Sequence, residues 1–245
     1  MKGKVYLVGA GPGGIGLITV RGLELLRSAK TVVHDALIDP DILKECKGAE
    51  LIDAGKRGGN HKMTQEEINE TLVRLASEGK DVVRLKGGDP FLFGRGAEEV
   101  AELRKAGIEV HVVPGVSSSI SVPELAGIPL THRDNASYVT IATGHERADR
   151  SEDKVDWRKL AKTDGTIVIL MGMSNAERIS FELMEGGMKR DTPAAAVVNE
   201  RGRYRTEVST LSELASMIKI KEMKAPGIIL IGDVVTQRSV LGDLY

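Results

Sequence analysis

The chain has 245 residues, of which 41% are hydrophobic, 3% aromatic and 28% charged, with a formal net charge of −1 and a single cysteine. That length and apolar fraction support one large domain or two moderate ones with mainly aliphatic cores. The near-neutral balance argues against a strongly basic nucleic-acid surface, Cys46 alone excludes an internal disulfide or a cysteine-built metal cage, and no stretch is apolar over a membrane-spanning length.

Met1-Lys2-Gly3-Lys4-Val5 leads into a strand without a cleavable signal pattern, so a soluble cytoplasmic protein with no nucleic-acid or membrane partner is expected. Residues 5–8 read as a short buried strand running into Gly9-Ala10-Gly11-Pro12-Gly13-Gly14. Gly9, Gly11 and Gly14 fit the dinucleotide fingerprint, a helix is expected over 17–28, and Asp35 ends the strand 31–34 about 20 residues on, where a ribose-binding acid would stand. Pro12 crowds that turn, whose amides would have to face a pyrophosphate. Gly55-Lys56-Arg57-Gly58-Gly59-Asn60-His61-Lys62 is dense in cations and glycine, as suits a solvated turn or an anion site. Thr64 and Glu67 then form a capping box for a helix with Ile68, Leu72 and Leu75 on its apolar stripe and Gly79 at its end.

Residues 81–85 read as a buried strand, followed by Lys86-Gly87-Gly88-Asp89-Pro90-Phe91-Leu92-Phe93-Gly94-Arg95-Gly96-Ala97-Glu98-Glu99 and a helix over 96–106. A glycine loop between a strand and a helix is where open α/β sheets bind ligands. Gly87 and Gly88 let the backbone approach a ligand, Asp89 offers an acceptor, Pro90 stiffens the turn, and Arg95 and Glu98 lie one helical turn apart. With a further strand over 109–113, the first half is expected to be a parallel, doubly wound sheet.

Pro114-Gly115-Val116-Ser117-Ser118-Ser119 opens another helix, by capping or by holding a ligand's polar end. Ala126-Gly127-Ile128-Pro129-Leu130-Thr131-His132-Arg133-Asp134 has no periodicity and reads as a domain linker, giving domains 1–130 and 131–245. Strands are expected over 138–143, 166–170, 194–198, 204–209 and 228–231, the fourth pairing antiparallel, so the second domain is a mixed α/β sheet. The polar loop 144–155 is a lid candidate, while Ser174 with Glu177 and Thr210 with Glu213 read as helix caps. Small residues at 194–196 leave room for a flat ring, and no cluster of metal ligands is apparent.

The stretch from Lys86 to Glu99 resembles the GGDPF and FGRGxEE segments of the uroporphyrinogen-III C-methyltransferases, members of the tetrapyrrole methylase family. Gly9 to Gly13 is similar to that family's GxGPG loop, Gly55 to His61 to its GKRxGxH, Gln65 to Asn69 to the start of its next helix, and Ala126 to Asp134 to its AGIPLTHRD. The resemblance implies two α/β domains with the active-site cleft between them, S-adenosyl-L-methionine folded into that cleft, S-adenosyl-L-homocysteine as product, and a homodimer. The implied reaction methylates uroporphyrinogen III at C-2 and C-7 to give precorrin-2, on the branch toward cobalamin and siroheme.

Carried over by position, Asp35 is a proton acceptor, Lys56 a proton donor, Arg95 orients the substrate and Glu98 assists proton loss. Donor contacts fall on Pro12, Gly87, Gly88, Asp89, Leu92, Ser117, Ser118, Met171, Ala195 and Glu200, and substrate contacts on Leu37, Arg57, His61 and Arg133. The cations suit a polycarboxylate substrate. The chain departs from the family at Gly14-Ile15-Gly16, where an acid and a proline are usual, at His34 in place of tyrosine, and at Asn199-Glu200-Arg201 in place of Asn-Gly-Thr. Alternatives are a methylase acting on a later corrin intermediate, a dinucleotide-binding oxidoreductase built on the Gly9 fingerprint, and a non-catalytic tetrapyrrole- or nucleotide-binding module.

Overall fold

The computed structural model describes residues 1–55, 63–145, 155–200 and 203–245. They form two compact units, Met1–Ser118 and Ser119–Tyr245.

The first unit carries strands β1 (Lys4–Gly9), β2 (Thr31–His34), β3 (Glu50–Asp53), β4 (Val82–Lys86) and β5 (Glu109–Val113), all parallel, in the order β3-β2-β4-β1-β5. This is the doubly wound sheet expected from the sequence. A parallel sheet needs crossovers that cover both faces. Val8, Val32, Val83 and Leu85 face α1 (Val20–Ser28) and α2 (Pro40–Leu43), through Leu26 and Ile42. Val5, Leu7, Val33 and Val82 face α3 (Gln65–Ser77) and α4 (Gly96–Lys105), through Ile68, Leu72, Leu75 and Leu103. The connections leaving the neighbouring strands β1 and β4 therefore run to opposite faces, so the carboxyl ends of these two strands frame the topological switch point.

The Thr64 capping box is present: its hydroxyl accepts from the Glu67 amide at 3.2 Å and the Glu67 carboxylate accepts from the Thr64 amide at 2.6 Å. The first helix begins later than residue 17, because Ile15–Leu17 forms a separate 3₁₀ turn and Thr19 caps α1 by accepting from the Gly22 amide.

The second unit carries α5 (Ser118–Leu125), β6 (Val139–Thr143), α6 (Trp157–Leu160), β7 (Thr166–Leu170), α7 (Ala176–Glu185), β8 (Pro193–Glu200), β9 (Arg203–Thr210), α8 (Leu214–Ile220), β10 (Gly227–Ile231) and α9 (Arg238–Leu241). Its sheet order is β6-β7-β10-β8-β9, with β6 and β7 parallel and the other pairs antiparallel, the mixed arrangement expected. Val122, Ala126 and Ile128 pack into this unit's core, so α5 and the turn after it lie on the far side of the division from β5, whereas the sequence boundary at residue 130 grouped them with the first domain.

Two caps read from the sequence are not formed. Helix α7 starts after Asn175 with no side-chain cap; a 3₁₀ turn over Met173–Asn175 leads into it, and the Asn175 amide is spent on the Gly144 carbonyl at 2.6 Å. Thr210 pairs its hydroxyl with Ser212, and α8 follows Glu213 with no side-chain cap.

Candidate active site

Three glycines bring the loops at the carboxyl ends of β1, β4 and β5 into backbone contact. A Cβ built on Gly115 would lie 2.2 Å from the Gly88 oxygen and 2.7 Å from the Gly9 Cα, so none but glycine fits there. Gly11 and Gly88 form an isolated bridge, each amide donating to the other's carbonyl, at 3.2 and 2.8 Å. Asp89 closes the assembly: Oδ1 accepts from the Phe91 and Leu92 amides at 2.9 and 3.1 Å, and Oδ2 from the Gly115 amide at 3.2 Å. The sequence reading gave Gly88 and Asp89 to the ligand; their polar groups are engaged in building the loops. Gly87 is different, because it is exposed and a Cβ placed there would meet nothing within 4 Å. It is the open backbone position of this loop, with Pro12 and Leu92 half-buried in the same loops.

This geometry does not serve a pyrophosphate in the dinucleotide manner. The Gly14 amide donates to Asp39 Oδ2 at 2.8 Å, and α1 opens only at Val20, past the end of the Gly9–Gly14 turn, with a 3₁₀ turn between them.

At the carboxyl end of β4 the loop holds two non-glycine residues in the left-handed region, Phe93 at φ 53° and Arg95 at φ 58°; at the end of β7, Met171 has φ 56°. Such backbone costs of order 1 kcal/mol or more and collects at functional sites. Arg95 and Met171 were both singled out from sequence. Arg95 pairs with Glu98, Nε lying 3.1 Å from both carboxylate oxygens and Nη2 2.5 Å from Oε2. That hydrogen bond raises the guanidinium above its ordinary affinity for a proton. The pair borders a groove of about 550 Å³ along α3 and α4 that also carries Glu66, Glu70 and Glu102.

Asp35, just past β2, is anchored by its amide on the Leu85 carbonyl at 3.1 Å. Its Oδ1 accepts from Arg84 Nη2 at 2.5 Å, and its side chain is 34% exposed. Arg84 reaches on to Glu99 Oε1, 3.3 Å from Nε and 3.2 Å from Nη2, and Lys86 Nζ meets the same oxygen at 2.8 Å. Sequence reasoning passed over Arg84, Lys86 and Glu99. The signal was available: two cations alternate with apolar residues in a strand buried on both faces, and buried charges need partners.

Of the other positions, Leu37 is exposed beside Asp35, Ser117 is buried, Ser118 opens α5, and Arg133 is exposed in the turn that the His132 amide closes on the Ala136 carbonyl at 2.9 Å. His34 is buried, as a packed strand residue, with Nδ1 3.0 Å from the Asp35 carbonyl. Ala195 is buried in one core cluster and Ala194 and Ala196 in the other, so the space beside these small residues is filled by packed side chains on both faces. Glu200 ends β8 opposite Arg203. Lys56, Arg57, His61 and most of the 144–155 loop lie outside the described residues. Among the described residues, no three histidine, cysteine, aspartate or glutamate side chains are grouped to hold a metal, and no helix is long and apolar enough to cross a membrane.

A sequence model of the Tetrapyrrole (Corrin/Porphyrin) Methylases matches residues 4–215. The chain is 50% identical to the S-adenosyl-L-methionine-dependent uroporphyrinogen III methyltransferase of Methanosarcina barkeri, over 98% of this chain and 95% of that one. It is 48% identical to the uroporphyrinogen-III C-methyltransferase of Methanocaldococcus jannaschii, over 96% and 98%. Among solved structures, the uroporphyrin-III C-methyl transferase of Thermus thermophilus complexed with S-adenyl homocysteine is similar at a TM-score of 0.81 and 37% identity, over 96% of this chain and 99% of that one. The chain belongs to the tetrapyrrole (corrin/porphyrin) methylase family.

Proposed function

We propose that this protein is an S-adenosyl-L-methionine-dependent C-methyltransferase that methylates uroporphyrinogen III at C-2 and C-7, yielding precorrin-2 for cobalamin- and siroheme-type tetrapyrroles. The observation that carries the reading is an anchored, partly exposed carboxylate, Asp35, at the end of β2, next to an open glycine, Gly87, at the end of β4. This lies in a chain half identical over its length to a methyltransferase of that name.

The donor, when bound, supplies a methyl group on a sulfonium, a reagent that already carries its leaving group. The chain's task is then alignment and proton management. Gly87, with Gly88 beside it in sequence and Pro12 and Leu92 in the loops after β1 and β4, offers the donor a backbone surface without side-chain obstruction. Met171, exposed and held at positive φ, is a further donor contact in this reading, as are Asp89, Ser117, Ser118, Ala195 and Glu200 through their backbones or neighbours. Leu37 offers an apolar contact to a ring beside the Asp35 carboxylate, which accepts the proton lost after methylation. Lys56 is the proton donor, Arg57, His61 and Arg133 hold substrate carboxylates, and Arg95 orients the substrate with Glu98 at its side.

We also take the protein to be a cytoplasmic homodimer, with no nucleic-acid or membrane partner; light scattering of the purified protein tests the dimer. The activity is tested by anaerobic incubation with uroporphyrinogen III and methyl-labelled donor. Label recovered in the tetrapyrrole supports the reading. Donor binding without transfer moves the substrate to a later ring intermediate, and no donor binding contradicts a methyltransferase.

A further inference from the structure

Strand β4 puts two cations where its neighbours on the same face are apolar. Val82 packs under α3 and α4, and Arg84 and Lys86 follow it at strand spacing, 1% and 3% exposed. The carboxylate between them, Glu99 of α4, is 0% exposed. Its Oε1 gathers Arg84, Lys86 and, at 3.2 Å, Gln65 Nε2, while Oε2 is buried and has no hydrogen-bond partner among the described residues. Two positive charges thus meet one fully buried negative one. Among the described residues the second negative charge comes from Asp35, whose side chain is 34% exposed.

A buried network of this kind is a poor device for stability, since apolar residues of similar volume usually do as well or better. It is a good device for fixing a direction. The guanidinium of Arg84 is planar, and Glu99 holds it along Nε and Nη2 while the Leu85 carbonyl lies 3.4 Å from Nη1. The remaining reach of Nη2 goes to Asp35 Oδ1, and Asp35 Oδ2 accepts no hydrogen bond from the described residues.

We propose that Arg84, clamped by Glu99, is a positioning residue for Asp35: it fixes Oδ1 so that Oδ2 is presented to the substrate. This rests on the reading of Asp35 as the proton acceptor. In that step a C–H bond of the methylated ring system breaks, its electron pair becomes part of the new double bond, and the proton forms an O–H bond at Oδ2. Arg84 donates to Oδ1 throughout and transfers no proton itself.

The test is a double-mutant cycle on uroporphyrinogen methylation with Arg84→Lys and Asp35→Asn, reading kcat, substrate KM and donor Kd separately. Lysine keeps the charge and loses the fork. The expected result is a kcat about 100-fold lower in Arg84→Lys, as for a misplaced catalytic group, with KM and Kd changed less than about twofold. In the Asp35→Asn background the same substitution should cost less than about twofold. Should Arg84→Lys fail to fold, Arg84→Gln carries the cycle: it leaves Lys86 paired with Glu99 and keeps a neutral planar donor, and its kcat loss should likewise vanish without Asp35. An undiminished cost in the Asp35→Asn background, or a change confined to KM or Kd, overturns the positioning role alone. An Asp35→Asn enzyme at the wild-type rate overturns the acceptor reading, and an inactive wild type that binds donor overturns the proposed substrate.

Discussion

Glu99→Ala tests the energetics of the first unit most sharply. The substitution removes the acceptor shared by Arg84, Lys86 and Gln65; Arg84, 1% exposed, keeps Asp35, and Lys86, 3% exposed, loses the one ion-pair partner it has among the described residues. An uncompensated buried charge costs about 3–5 kcal/mol, to which the truncated side chain adds a cavity. With a urea dependence of about 1.5 kcal/mol per molar, the midpoint of the first unit should fall by roughly 2–3 M. The chain supplies its own reporters. Cys46, the only cysteine, is buried in the first unit, where burial pushes its thiol above its ordinary pKa, and Trp157, the only tryptophan, is buried in the second. Thiol labelling in urea therefore follows the first unit, and indole fluorescence follows the second in the same sample. A Cys46 midpoint displaced by less than about 0.5 M, equivalent to under about 1 kcal/mol, would refute the claim that Glu99 neutralises a desolvated pair of cations.

Arg95→Ala should nearly abolish turnover while donor affinity, measured calorimetrically, stays at the wild-type value; a variant above about half the wild-type rate would remove Arg95 from the mechanism. Gly115→Ala sets a Cβ 2.2 Å from the Gly88 oxygen, backbone that cannot swing away, and should cost about 3 kcal/mol in thermal unfolding together with donor affinity. An unchanged melting temperature and Kd would mean that the three-glycine crossing is looser than described. Gly16 stands in open space without a positive φ, so Gly16→Ala should raise stability by roughly 0.4–1 kcal/mol, and a loss of stability would show that the 3₁₀ turn there needs glycine.

The parts of this fold that could be read from sequence are those settled by neighbours in the chain. Alternation of short apolar runs with amphipathic helices is enough for a parallel sheet, and Thr64 with Glu67 specifies its own cap within one turn. Ser174 with Glu177 shows the same spacing and fails, because a 3₁₀ turn delays the helix and Asn175 is drawn to Gly144, 31 residues away. The site divides along the same line. That Arg95 and Glu98 would meet is suggested by their spacing of three residues at the start of α4, although Arg95 itself stands just before the helix at positive φ. That Arg84 would bind Asp35, 49 residues earlier, and Glu99, 15 later, depends on β4 returning between β1 and β2. Asp89 illustrates the converse: its place in a glycine loop suggests a ligand acceptor, and its further part in joining the loops, by accepting from the Gly115 amide 26 residues on, depends on the fold.

The most direct test of the central claim is the mass and structure of the product formed anaerobically from uroporphyrinogen III and S-adenosyl-L-methionine. The account predicts a tetrapyrrole that has gained two methyl groups, placed by NMR at C-2 and C-7. A tetrapyrrole recovered without added methyl groups, from protein that binds the donor, would contradict it.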